Sequence, residues 1–185
     1  MTPTPTRPIG FAGWLAAFWG VGGVIALLVY AAGRLAGQTQ LALELEWSML
    51  QWVVFIANTL FMAYSEGYRG FQKSFSPRTV ARAMWLARNP DWISGLLAPL
   101  FCAGYFMADK RVRMVVWIGT FLIVILVLLL RLTPQPWRGI IDAGVVVGLS
   151  WGTVSLLFMF VRAVLSGEAL ADHRVGGTEN PADPG

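Results

Sequence analysis

The chain has 185 residues, of which 56% are hydrophobic and only 13% charged, with a formal net charge of +4. A soluble domain carries roughly a quarter of its residues as charges, and here the apolar residues fall in blocks long enough for membrane spans. Arg and Lys gather at the edges of those blocks, where they reach lipid headgroups, so the basic balance points to a membrane surface and away from nucleic acid.

Residues 1–10, MTPTPTRPIG, are rich in Pro and Thr and are expected to be disordered. With Arg7 alone they make a poor signal-peptide n-region, and the apolar run behind them is too long for a cleaved h-region. That run predicts a first helix over about 11–33, ended by Gly33 and Arg34. A second is predicted over about 46–68. The string YSEGYRGFQKSFSPRTVARAMWLAR, residues 64–88, then interrupts the apolar pattern. Ser76-Pro77 reads as a helix start and Asn89-Pro90 as a stop. Between them a short amphipathic helix over about 77–88 is expected to lie in the cytoplasmic headgroup layer. Its surface basic set is Lys73, Arg78, Arg82 and Arg88, each contributing on the order of 1 kcal/mol near anionic lipid.

A third apolar helix is predicted over about 92–108, interrupted by Pro99, and a fourth over about 114–131, where LIVILVLLL faces lipid or neighbours on all sides. The turn TPQP, residues 133–136, precedes a fifth helix over about 137–165. Residues 166–185 read as a flexible polar tail. Trp14, Trp47, Trp92 and Trp137 lie near the starts of runs, the level at which indoles favour headgroups. The fold class is therefore all-α: a multi-pass transmembrane helix bundle over 11–165 with five apolar helices and a short cytoplasmic amphipathic helix.

Two topologies fit. Five spans divide the Lys and Arg residues eight against six, a weak orientation signal. Four spans plus a re-entrant third run divide them eleven against three, although such a loop needs protein around its open backbone. Both place the amino terminus in the cytoplasm, in a bacterial-type inner membrane.

Three sets of residues carry chemistry. On a helical wheel Ser48, Gln51, Asn58, Thr59, Ser65, Glu66 and Arg69 share one flank of the second helix. A polar flank crossing hydrocarbon must face protein or water. Inter-helical hydrogen bonding and the lining of a wet cavity both satisfy that requirement. Glu66 and Arg69 have i,i+3 ion-pair spacing. Asp142 stands four residues after Arg138, forming a second carboxylate site that meets Glu66 only if the two helix ends meet. Gly144, Gly148, Gly152 and Ser155 form a small-residue stripe on the fifth helix, and Gly13, Gly20 and Gly23 a comparable face on the first. The two faces are expected to pack on each other or on a partner chain.

Cys102 is the single cysteine and His173 the single histidine, so intrachain disulfides, cysteine clusters and bis-histidine haem are excluded, and neither a metal nor a cofactor is expected. The pattern carries no nucleophile–base pair and no phosphate loop. It is read first as an accessory, assembly or scaffold subunit acting through helix packing, as a homo-oligomer or with a partner membrane protein. A small transporter or channel subunit using the polar flank is the alternative, and an enzyme on a lipid substrate the third.

Overall fold

The computed structural model describes residues 9–89, 91–107 and 110–166. Those residues form helices and connections only. The segments expected to be unstructured, 1–10 and 166–185, lie almost wholly outside them.

Helix α1 (Phe11–Leu43) passes through Gly33 and Arg34, where the sequence predicted its end. Glycines at 33 and 37 each cost about 1 kcal/mol against alanine in a helix, and tertiary contact overrides them. The Thr39 hydroxyl donates to the Gly139 carbonyl at 3.3 Å, and Gln135 Nε2 to the Gln38 carbonyl at 3.4 Å. Ser48 then opens α2 (Met49–Met62) with a capping box: the Gln51 N–H donates to Ser48 Oγ at 3.4 Å, and the Ser48 N–H to Gln51 Oε1 at 2.8 Å.

No turn follows the second apolar run. The chain stays helical but widens into a π segment (Ala63–Phe75) and narrows again into α3 (Ser76–Arg88). The change closes at Ser76, whose N–H bonds back to the Phe71 carbonyl. Pro77 thus enters in the first turn of a new α segment, where its missing N–H is least costly. The expected helix end at 68 and fresh start at 77 are one continuous helix. Nor does α3 lie on a surface: Thr79, Val80, Arg82, Ala83, Met84, Leu86 and Ala87 are all buried, covering most of its circumference.

The third apolar run is also not one helix. It forms α4 (Trp92–Leu96), capped by Asp91, and α5 (Ala98–Ala103), broken at Leu97 just before Pro99. Its neighbours on α1 trace its path. Ala87 lies at Gly13, Pro99 at Gly23 and Cys102 at Gly20, while Trp19 Nε1 donates to the Leu96 carbonyl at 3.2 Å. The chain therefore climbs α1 to Pro99 and turns back. Gly104 ends α5 at φ 94°, a left-handed backbone conformation that glycine adopts freely.

Helix α6 (Lys110–Leu130) is solvent-accessible over nearly its full length, with Leu130 its one buried residue. Along its first half it meets the residues that follow α5, where the Tyr105 and Thr120 hydroxyls bond at 2.7 Å. After a turn containing a cis Gln135–Pro136 peptide, α7 (Trp137–Ser166) runs antiparallel to α1, with Phe160 and Phe18 ring centroids 5.2 Å apart. It runs parallel to α2 and the π segment. The core joins Ala17 and Val21 of α1, Val80 and Leu86 of α3, Phe101 of α5, and Leu156 and Phe160 of α7.

Three helices, α1, α6 and α7, are long and apolar enough to cross a membrane, fewer than the five expected. The two shortfalls have distinct causes. The second run divides between α2 and the π segment, and the third folds back on itself.

Candidate functional site

The polar flank predicted on the second helix separates into groups with different surroundings. Ser48 and Gln51 are consumed by the capping box. The Ser65 hydroxyl donates to the Phe61 carbonyl of its own helix at 2.7 Å. Asn58 crosses to α7, its Nδ2 donating to the Ile140 carbonyl at 2.9 Å. The Thr59 hydroxyl oxygen is buried with no hydrogen-bond partner.

Glu66 points toward α7. A Cβ added to Gly148 would stand 3.2 Å from both Cβ and Oε2 of Glu66, so the glycine makes room for the carboxylate. The expected i,i+3 pair with Arg69 does not form, and among the described residues Glu66 has no hydrogen bond or ion pair. Arg69 instead lies on the exposed side of the π segment with Gly70, Lys73 and Ser74. Lys73 sits over the Tyr68 ring, 4.6 Å from its centroid, and Tyr68 stacks on Tyr64 at 5.9 Å.

The level of these groups follows from their neighbours. Glu66 lies beside Gly148, Gln72 bonds to Trp151 Nε1 at 2.8 Å, and Phe71 meets Gly152. A crossing needs about 20 residues. Within Trp137–Ser166 every such window contains residues 147–156. Wherever α7 enters hydrocarbon, the middle of the π segment enters with it.

Asp142 is placed apart. It pairs with Arg138 at 3.7 Å, too long for a hydrogen bond, and both Arg138 Nε and Asp142 Oδ2 are buried without one. Gly148 is six residues further along α7, a rise of about 9 Å. The two carboxylates do not form a pair.

The small-residue faces pack, but not on each other. Gly144 meets Asn58 and Met62 of α2, Gly148 meets Glu66, and Gly152 meets Phe71, so the α7 stripe receives α2 and the π segment. Ser155, one turn beyond, is half-buried. Gly13, Gly20 and Gly23 receive α3 and α5. The α1–α7 contact uses a third surface, with Gly139 against Gln38 and Ala42.

Of the four residues expected at a basic surface, three are half-buried or exposed: Lys73, Arg78 and Arg88. Arg78 folds back to Ser74, donating to its carbonyl at 2.8 Å and its hydroxyl at 2.9 Å. Arg82 is in the core, 5% exposed. Its Nε donates to the Phe101 carbonyl at 2.6 Å, and its terminal nitrogens to the carbonyls of Phe106 at 2.7 Å and Met107 at 3.1 Å. The Phe101 carbonyl, near the end of α5, also accepts from the Gly104 N–H at 3.1 Å, and the Phe106 and Met107 carbonyls belong to the chain beyond that helix. Sequence reasoning missed this role, and the lone signal was an arginine amid Val80, Ala83, Met84 and Ala87.

Among the described residues no three His, Cys, Asp or Glu side chains come together. Comparison with known protein families, curated proteins and solved structures gives no match.

Proposed function

We propose that this chain is a multi-pass membrane accessory or scaffold subunit whose exposed π-segment face docks a partner. The supporting observation is the exposure of Arg69 and Lys73 at a level shared with Trp151 and Gly152 of α7. Lipid tails satisfy neither group, and charged residues at that depth normally face protein or a wet cavity.

In this reading the chain crosses four times, through α1, the α2–π–α3 helix, α6 and α7. The α4–α5 hairpin enters and leaves at one end. Basic residues support the orientation. Arg78, Arg82, Arg88, Lys110, Arg111, Arg113 and Arg162 lie toward the hairpin end, against Arg34, Arg131 and Arg138 toward the other. The hairpin end and the amino terminus then face the cytoplasm of a bacterial-type inner membrane, with anionic headgroups at the basic edge. Extraction in mild detergent from native membranes tests the reading: a complex larger than the 20.3 kDa chain in its micelle is expected. A chain that migrates alone and crosslinks to no protein overturns it.

One observation favours a second reading, a small transporter or channel subunit. Glu66 is an unpaired carboxylate between two helices at that same depth. Reconstituted vesicles loaded with a pH or cation indicator discriminate. Flux in the wild type that Glu66→Gln abolishes would support this reading, and equal leak in both would reject it.

A further inference from the structure

We propose that the partner at the π segment is a transmembrane helix of a different protein, carrying an aspartate or glutamate at the level of Arg69. The inference deepens the docking reading above and rests on it.

Charge accounting carries the argument. Arg69 and Lys73 are exposed, and no carboxylate among the described residues faces them. Glu66, three residues before Arg69, is turned inward against Gly148. Asp91 caps Ser94 at the hairpin end, and Asp142 is paired with Arg138. Glu44 and Glu46 lie in the α1–α2 connection, beyond the opposite end of the bundle. Two cations on one flank at hydrocarbon depth therefore have no counter-charge from the described chain.

A second copy does not supply one. A symmetric dimer brings the same patch together, setting Arg69 and Lys73 against their own equivalents, and like charges across an interface cost several kcal/mol. A partner carboxylate instead meets the guanidinium with paired, charge-assisted hydrogen bonds. The surface also admits a helix closely. Gly70 is exposed beside Arg69, and a Cβ there would have no neighbour nearer than the Ser65 carbonyl of its own helix at 3.4 Å. A phospholipid headgroup drawn inward is the other source of negative charge, and the experiment separates the two.

A photo-crosslinking residue is placed at Gly70 and, in a separate variant, at Phe121 on exposed α6. Both are irradiated in native membranes and the adducts sequenced. The Gly70 adduct is expected to be a membrane helix of another protein with an Asp or Glu within one turn of the attachment point. Arg69→Glu should reduce that adduct roughly tenfold or more while Arg69→Lys retains most of it. Changing the partner's acid to Lys should restore it in the Arg69→Glu chain. An adduct with lipid, with a second copy, or with a helix lacking an acid overturns the inference. Protein adducts at Phe121 but none at Gly70 overturn it together with the docking role of the π segment, and leave only the accessory-subunit part of the reading. No protein adduct at either position, with a chain that migrates alone, removes both. Because Arg69 is exposed, unchanged thermal unfolding of Arg69→Glu in detergent separates loss of docking from loss of fold.

Discussion

Arg82 Nε donates to the carbonyl oxygen of Phe101 at 2.6 Å, while the guanidinium carbon lies 4.2 Å from the centre of that residue's ring. One residue of α3 thereby ties the last turn of α5 to the chain beyond it and stacks on a ring of α5. A backbone that reverses within the bundle leaves carbonyls that lipid cannot satisfy, and this arginine supplies their donors.

Replacing Arg82 should therefore destabilise the hairpin more than any surface arginine. Removing the guanidinium takes donors from three carbonyls, at about 1–3 kcal/mol for each one left buried and unsatisfied. Arg82→Leu is expected to unfold at markedly lower temperature in detergent, with Arg88→Leu close to wild type. Arg82→Lys should recover little, because an ammonium cannot reproduce a planar fork reaching three carbonyls. Equal melting of Arg82→Leu and Arg88→Leu would contradict this role.

A glycine pair on α1 separates close approach from helix propensity. A methyl at Gly13 would run into the Ala87 backbone carbonyl, whereas one at Gly22 meets nothing within 4 Å. Gly13→Ala should lose about 1–3 kcal/mol by overpacking. Gly22→Ala should be neutral or gain up to about 1 kcal/mol. Thermal unfolding of the two variants side by side checks the contrast.

The proposed topology of four crossings with a hairpin makes a labelling prediction. In a Cys102→Ala background, cysteines at Asn89 and Arg111 should react with an impermeant thiol reagent from the same side of the membrane. A cysteine at Thr133 should react from the other. Opposite sidedness of 89 and 111 would restore five spans.

Arg138 and Asp142 form an ion pair without a hydrogen bond, their side chains 29% and 2% exposed. Arg138→Leu leaves a buried carboxylate unpaired and should cost about 1–3 kcal/mol. The double change Arg138→Leu with Asp142→Leu should recover most of that loss, since an apolar pair carries no desolvation cost. A double variant no better than the single one would show that the pair has partners beyond itself.

Much of the helical content was legible in the sequence because long apolar runs without internal proline have one outcome in lipid. The fourth and fifth runs appear as α6 and α7 within a few residues of expectation. The errors have local causes. Gly33-Arg34 resembled a stop, yet Thr39 and Gln38 held α1 to α7 beyond it. Ser76-Pro77 resembled a start because proline normally interrupts an α-helix, and nothing local announced that a wider helix would deliver it into a first turn. The misplacement of Arg82 arose within α3 itself, where it was read with Arg78 as one basic side although apolar Val80, Ala83, Met84 and Ala87 surround it. A π turn advances roughly 80–85° per residue instead of 100°, so over Ala63–Phe75 the phase slips on the order of half a turn. A single wheel drawn from Ser48 to Arg69 therefore cannot hold Asn58, which faces α7, and Arg69, which is exposed, on one flank. The contact of Glu66 with Gly148 was half legible: both residues stood out, but their pairing depends on which stripe receives which helix.

The isolation of α6 assigns that helix an unusual task. Among the described residues it meets Gly104 and Tyr105 along its first half, and at its end it buries Leu130. What the molecule requires of LIVILVLL, residues 122–129, is thus a length rather than a pattern, and reshuffling those exposed side chains with Leu130 kept should leave the bundle undisturbed.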